Sequence, residues 1–384
     1  MIRESEEGYE PMGCGLRHPF SRLRGDGSDA RLSAASRAQS GILREFPCVR
    51  EAKIMLLAGD VGGTKTTLIL FAIEGSRLKP MFRLRLATRE FPAIEELVQD
   101  FLGRARGQGI AINELKMASF ACAGAVVEDR VVTNNLPWVV DAAALANALG
   151  LDRTRILLLN DLVGAAASLS HLSQHDFLPL NNAVAKERAP KALIAAGTGL
   201  GEALLFWDGT HYRIFPSEAS LTDFAPRNDR EMLLVHSLRQ RMPRVSCEEV
   251  VSGRGFRAIH QIIFPGVQHA WFDDPTVDAA VQITHNALEA SCSACVETLQ
   301  IWTEAYAAEA GNMALRVLPF GGVFVAGGIA LKILPKMKDG TFVRVFSDKS
   351  KLSRELARIP ISVVLNEDAP VLGAAYEALA TGAS

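Results

Sequence analysis

Two glycine turns constrain this chain more than any other feature. Gly59-Asp60-Val61-Gly62-Gly63-Thr64 lies between the apolar runs 54–58 and 66–73. Gly197-Thr198-Gly199-Leu200-Gly201 lies between the runs 192–196 and 203–207. Short runs of this kind read as strands, so each turn joins strand to strand. That excludes two common nucleotide folds. A Walker A loop needs a glycine where Thr64 stands and a helix where 66–70 is β-branched and apolar. A dinucleotide fingerprint needs GxGxxG spacing and a following helix, and 197–201 has neither. The same strand, glycine turn, strand order starts near 54 and again near 191. We therefore expect an α/β protein of two related lobes.

Around these units the apolar pattern predicts further strands at 81–87, 116–122, 130–133, 156–159 and 361–365. It predicts helices at 93–106, 142–149, 164–169, 229–239, 247–263, 277–309 and 371–379, and a polar loop over 216–228. A strand at 323–326 runs into Gly327-Gly328. Residues 1–53 differ, with eight Arg and eight acidic residues among Gly and Ser and little apolar periodicity. They read as a disordered N-terminal extension. The acids argue against a transit peptide, and the lack of an apolar run argues against a signal peptide. A start at Met55, directly before the first strand, is an equal expectation.

At 384 residues the chain has room for two domains, and 48% hydrophobic with 22% charged residues fits a globular protein. A net charge of −2 offers no basic surplus for nucleic acid or an anionic membrane, so small-molecule partners are expected. The longest apolar stretch, 317–334, is interrupted by two Gly pairs and Lys332 and does not read as a membrane span. Six cysteines are too few for a disulfide framework. Cys292-Ser293-Ala294-Cys295 has metal-ligand spacing, but no second Cys pair or Cys/His cluster in the sequence completes a site, so plain helix packing is expected. Reduced thiols suit a cytoplasmic location.

Several residues stand where chemistry is done. The first turn offers backbone N–H groups to phosphate oxygens at Gly62 and Gly63, and Asp60 is a candidate Mg²⁺ residue, acting through water. An ordinary hairpin capped by Asp60 is the plainer alternative. Thr198 adds a hydroxyl donor in the second turn. The buried strand 156–159 ends in Asn160-Asp161 before a helix, where open α/β sheets bind ligands. Asp161 thus reads as a reactive carboxylate or as a helix N-cap. Glu218 and Glu248 read as acceptors for sugar hydroxyls or as solvated charges, with Glu248 favourable to a helix dipole.

In this order the residues resemble the bacterial glucokinase family, within the actin/hexokinase/Hsp70 superfamily. The resemblance runs from about Ile54 to the C-terminus. It rests on Gly59–Thr64, Thr133-Asn134-Asn135-Leu136-Pro137-Trp138, Asn160-Asp161, Gly197–Gly201, Asp223-Phe224-Ala225-Pro226, Ser252-Gly253 and Gly327-Gly328-Ile329. It implies two actin-like, ribonuclease H-like lobes around a central cleft: a small one of 54–170 plus 365–384, and a large one of 171–364. It implies ATP-dependent phosphorylation of glucose, or a related hexose, to the 6-phosphate, with ATP and Mg²⁺ and a possible homodimer. Asp161 looks like the general base for the sugar 6-hydroxyl, and Asn160, Glu218 and Glu248 match sugar-binding positions. Asp60 would manage Mg²⁺; Gly62, Gly63, Thr64, Gly197, Thr198 and Gly199 would hold phosphates; Gly253, Gly327 and Gly328 would lie near the adenosine.

One departure bears on the sugar. The family's Glu-Gly-Gly-His loop reads Glu218-Ala219-Ser220-Leu221 here. A sugar hydroxyl aimed at leucine loses a partner, at about 1–3 kcal/mol, or about one to two powers of ten in affinity. Side chains at 219 and 220 are expected to strain any backbone that needs positive φ. A sugar- or nucleotide-binding sensor with little catalysis, or a kinase of a different hexose, is therefore the alternative. Ala125, where the family commonly has Pro, is a minor second departure.

Overall fold

The computed structural model describes residues 54–112, 114–132 and 138–382. The predicted extension 1–53 and positions 133–137 of the Thr133–Trp138 motif lie outside the described residues. The first sheet has the order β3-β2-β1-β4-β8. Its strands are β1 (Met55–Val61), β2 (Lys65–Glu74), β3 (Arg77–Ala87), β4 (Leu115–Cys122) and β8 (Ile156–Asn160). A small three-stranded sheet of β5 (Ala125–Val127), β6 (Arg130–Val132) and β7 (Val140–Asp141) follows β4 in the chain.

β1 is antiparallel to β2 and parallel to β4. It is apolar on both faces because both are covered. Met55, Leu57 and Val61 join Leu97, Val98 and Phe101 of α1 (Ile94–Gly107) and Leu145 of α2 (Ala142–Leu149). Leu56 and Ala58, on the alternate face, join Val371, Ala375 and Ala378 of α13 (Ala369–Gly382).

The second sheet has the order β12-β11-β10-β13-β14-β9. Its strands are β9 (Phe177–Pro179), β10 (Lys191–Ala196), β11 (Leu200–Trp207), β12 (Tyr212–Ser217), β13 (Gly322–Ala326) and β14 (Ile361–Val364). From β12 to β14 it repeats the first sheet's scheme: two antiparallel pairings, then two parallel ones. This is the doubled unit expected from the glycine turns.

α3 (Asp161–Ser168) is the link between the sheets. It crosses α13 so closely that a Cβ on Gly373 would sit 1.7 Å from the Gly164 carbonyl oxygen. Its Ala165, Ala166 and Leu169, just past its end, pack with Leu193, Ala203 and Leu205 of the second sheet.

Four local expectations change. The predicted helix 247–263 is broken into α5 (Cys247–Val250) and α6 (Gly253–Ile263), because Ser252 is extended and Gly253 N–H donates to the Gly197 carbonyl at 2.9 Å. The predicted helix 277–309 is α7 (Ala279–Leu288) and α8 (Ser293–Val317), separated by Ala290 with φ 51°. The polar loop from 216 begins inside β12 and holds a 3₁₀ turn at Ala219–Leu221. Cys292 is not on a helix face: it caps α8, and tertiary packing brings two histidines to the cysteine pair, contrary to the expected absence of a Cys/His cluster. α4 (Asp229–Arg239) follows the sequence expectation, and α9 (Gly328–Lys332), α10 (Leu334–Met337), α11 (Thr341–Ser347) and α12 (Ser353–Leu356) fill the chain between β13 and β14. Among the described residues no helix is long and apolar enough to cross a membrane, and Cys122, Cys247, Cys292 and Cys295 are free thiols.

Candidate active site

The first glycine turn is a hairpin closed by Gly62 N–H donating to the Lys65 carbonyl at 3.1 Å. Gly63 is partly accessible and Thr64 exposed, so the tip of the turn faces outward. Gly59 is a packing glycine, since a Cβ there would meet Leu68 and Phe120 side-chain carbons at 2.7 and 2.8 Å. A residue with no sequence signal holds the turn from below. Thr88, fully buried, donates from Oγ1 to the Gly62 carbonyl at 2.7 Å, and its Oγ1 lies 2.9 Å from Thr66 Oγ1. Its N–H donates to the Thr64 carbonyl at 3.0 Å.

Asp60 lies in register with Ala121 of β4, and Cys122 with Asn160 of β8. The carboxyl ends of three parallel strands thus bring Asp60 and the Asn160-Asp161 pair to one edge. Asn160, rather than Asp161, is the helix cap: its Oδ1 accepts from Leu162 N–H at 2.9 Å and Val163 N–H at 3.4 Å. Its Nδ2 donates to the Gly124 carbonyl at 3.1 Å, which leaves one amide hydrogen for a ligand. Asp161 is the first helical residue, and its Oδ1 accepts from Leu162 N–H at 2.9 Å.

Both acids keep a little accessible surface but are ringed by protein at longer range. Desolvation raises the Asp161 pKa, and its hydrogen bond from Leu162 only partly opposes this. For Asp60, burial first and then the nearby Asp161 charge push the pKa up to about 7, with Arg85 opposing. Arg85 in turn contacts Thr67 Oγ1 at 3.3 Å and Glu367 at 3.2 Å, and Arg83 makes a two-point pair with Asp368 at 2.8 and 2.9 Å. Arg83 and Arg85 alternate along β3, which in sequence is indistinguishable from a solvated strand face.

The second turn is assembled from distant segments. Gly197 N–H donates to the Gly199 carbonyl at 2.8 Å, and Gly253 N–H to the Gly197 carbonyl at 2.9 Å. Gly327, at φ 90°, backs onto Ala196 so tightly that a Cβ would lie 2.4 Å from its carbonyl oxygen. Gly328 starts α9 directly after it. Thr198 is exposed at the tip. Glu248 accepts from Leu200 N–H at 3.1 Å and pairs with Arg254, so it rests on the turn instead of standing free in solvent.

Glu218 is exposed, just past Ser217, which pairs with Glu202 beside Gly201. Cys247 N–H donates to the Thr222 carbonyl at 2.9 Å and ties the Glu218 loop to the Glu248 helix. Ala219 and Ser220 have no left-handed φ, so the strain expected from losing glycine there is absent. Leu221 is 46% exposed and its carbonyl accepts from Arg244.

A further contact joins the two halves beside Asp161. The side chain of Leu162, next to Asp161, lies where a Cβ on Gly201 would be only 3.1 Å from it. The strand leaving the second glycine turn thus abuts the helix that begins with the partly buried Asp161.

Two repeated α/β sheets with glycine turns at the strand ends define a protein of the actin-like ATPase fold. Solved structures share that fold. A glucokinase from an Antarctic psychrotroph aligns with TM-score 0.71 at 23% identity, covering 85% of this chain and 99% of the other. A Balamuthia mandrillaris glucokinase in complex with glucose aligns with TM-score 0.70 at 20% identity, covering 85% and 94%. The Glucokinase family profile matches residues 57–381. Curated glucokinases from a Nostoc species and from a Synechocystis species are 37% identical over 340 residues and 34% over 349. Both alignments span 84% of this chain, and 98% and 97% of the respective relatives. The chain belongs to the glucokinase family and is a hexose kinase.

Proposed function

We propose that this chain transfers the γ-phosphoryl group of ATP to the 6-hydroxyl of glucose, with Asp161 as general base. The observation that carries it is the position of Asp161: a partly buried carboxylate directly after the carboxyl end of β8, one residue before the contact with Gly201. Asp161 accepts the 6-hydroxyl proton as the sugar oxygen bonds to the γ-phosphorus. The bond from phosphorus to the bridging oxygen breaks, and ADP leaves. Phosphoryl transfer asks the protein mainly for positioning and charge stabilisation. Backbone N–H groups of Gly63 and Gly199, with the hydroxyls of Thr64 and Thr198, hold the phosphates; the N–H groups of Gly62 and Gly197 close their own turns, and these two residues serve by letting the phosphates approach closely. Gly253, Gly327 and Gly328 leave room for the adenosine, and Asn160, Glu218 and Glu248 bind sugar hydroxyls.

Asp60 and Asp161 are two carboxylates in a poorly solvated place, and at Asp60 burial and the Asp161 charge together outweigh the opposing charge of Arg85. That donor set fits Mg²⁺ held by Asp60 through water, and the ion when bound supplies charge neutralisation to the phosphates. We assign 54–170 with 365–384 to the small lobe, because α13 packs on β1 and α3, and 171–364 to the large lobe.

Glucose-dependent ADP release, followed in a coupled assay, tests the base. Asp161→Asn is expected to lower kcat by about 10²–10⁴-fold with the thermal midpoint little changed. Undiminished turnover in that variant overturns the assignment.

A further inference from the structure

A second cluster lies in the packing behind the second turn. His260 is on α6, His269 on the loop after it, Cys292 caps α8 and Cys295 is in the first turn of α8. One ligand atom from each of the four lies within 4.8 Å of all the others. His269 Nε2 is 3.7 Å from Cys292 Sγ and 3.8 Å from Cys295 Sγ. A tetrahedral zinc with Zn–N of about 2.0–2.1 Å and Zn–S of about 2.3 Å sets its ligand atoms about 3.3–3.8 Å apart. The cluster needs only a small contraction to reach that.

A second observation points to a ligand independently. His260 has no accessible surface, and neither of its ring nitrogens has a hydrogen-bond partner. A buried imidazole left with both nitrogens idle is costly, and a metal bond to one nitrogen relieves half of that cost. The surroundings are apolar and aromatic. The His269 ring stacks on Trp271 at 4.5 Å, and Phe264 and Phe272 lie at 5.9 and 5.1 Å from the His260 ring. Two thiolates and two neutral imidazoles around Zn²⁺ make a neutral unit, which such a shell tolerates. Cys292 Sγ already accepts from Cys295 N–H at 3.5 Å, a contact that favours the thiolate.

We propose that His260, His269, Cys292 and Cys295 bind one Zn²⁺ in a closed structural site, distinct from the phosphate-transfer site. Binding takes up Zn²⁺ and releases the two thiol protons, with no change of oxidation state. The metal would pin the ends of α6 and α8. Those helices also support the second turn: Gly253 donates to Gly197, and Trp302 Nε1 of α8 donates to the Ser252 carbonyl at 3.1 Å.

The test is metal analysis of the untagged full chain grown with zinc and dialysed against metal-free buffer. We expect about one zinc per chain, falling at least about tenfold in Cys292→Ser/Cys295→Ser and unchanged in Cys14→Ser/Cys48→Ser. Cobalt exchanged into the wild type should show the strong visible absorption of a tetrahedral thiolate site. This measurement and zinc loss in His260→Ala decide the matter if the double cysteine variant does not fold. Wild-type protein with less than about one-tenth of a zinc per chain, zinc retained in the double variant, or a Cys292–Cys295 disulfide in its place overturns the proposal.

Discussion

The two glycine turns look alike in sequence but are built in opposite ways. The first is a local object: a hairpin whose strands are adjacent in the chain, with one added support from Thr88. The second has its hairpin too, but segments far along the chain hold it. Gly253 hydrogen-bonds to Gly197, Glu248 accepts from Leu200, and Gly327 backs onto Ala196. A local turn tolerates change in the rest of the molecule. A turn assembled from four segments depends on the placement of all of them, α6 included, which also carries His260.

The sharpest test of the first turn concerns the acid beside it. With a folded-state pKa raised from 3.8 to about 7, Asp60 binds more protons folded than unfolded between those values. Its contribution is therefore fully present below the lower value and is lost as pH rises through the upper one. In the absence of Mg²⁺ and ATP, Asp60→Asn should gain stability over wild type as pH rises from about 4 to about 7, by a few kcal/mol at most. Urea titrations across that range measure it, and saturating Mg²⁺ should shrink the gap. Parallel curves for the two proteins would break the claim of a crowded acid pair.

For the second turn, Gly327→Ala is expected to cost about 2–4 kcal/mol, from positive φ and the close approach to the Ala196 carbonyl. Denaturant unfolding reads this. A cost below about 1 kcal/mol would mean that β13 yields easily and the turn is less tightly assembled than described. Thr88→Val keeps the shape but removes the donor to Gly62, so about 1–3 kcal/mol of stability should go, with a higher KM for ATP. An unchanged KM would show that the first turn stands without its support. The smallest effect is expected at the sugar loop. Ala219→Gly, Ser220→Gly and Leu221→His together should lower glucose KM about tenfold and leave kcat nearly constant. No change would show that Leu221 costs the enzyme nothing, and a large rise in kcat would favour the sensor reading of the wild type.

Much of the fold was legible because its signals are local. β1 stands out as an apolar run and β2 as an apolar, β-branched one, each beside glycines, and α2 and α4 start and stop where their apolar periodicity does. The breaks at Ser252 and Ala290 differ in legibility. Ser252-Gly253 carries a local turn signal that the apolar periodicity on either side outweighs, and Gly253 there is tied to the Gly197 carbonyl, whereas nothing local marks Ala290 as left-handed. Within the candidate site, Asp60, Asn160, Asp161 and the glycines were visible as polar or small residues at strand ends. Thr88, Arg83 and Arg85 were not, because a threonine after a strand and alternating arginines along one carry no mark of what they touch.

The sequence by itself determined which segments become strands, where the glycine turns fall and which carboxylates end β1 and β8. Those outcomes depend on side-chain alternation and on backbone freedom within a few residues. Only the tertiary structure decided that Thr88 supports the first turn, that Glu248 rests on the second, and that two histidines meet Cys292 and Cys295. Such meetings are set by how α6, α8 and the two sheets pack, and contact between residues distant in the chain leaves no local pattern.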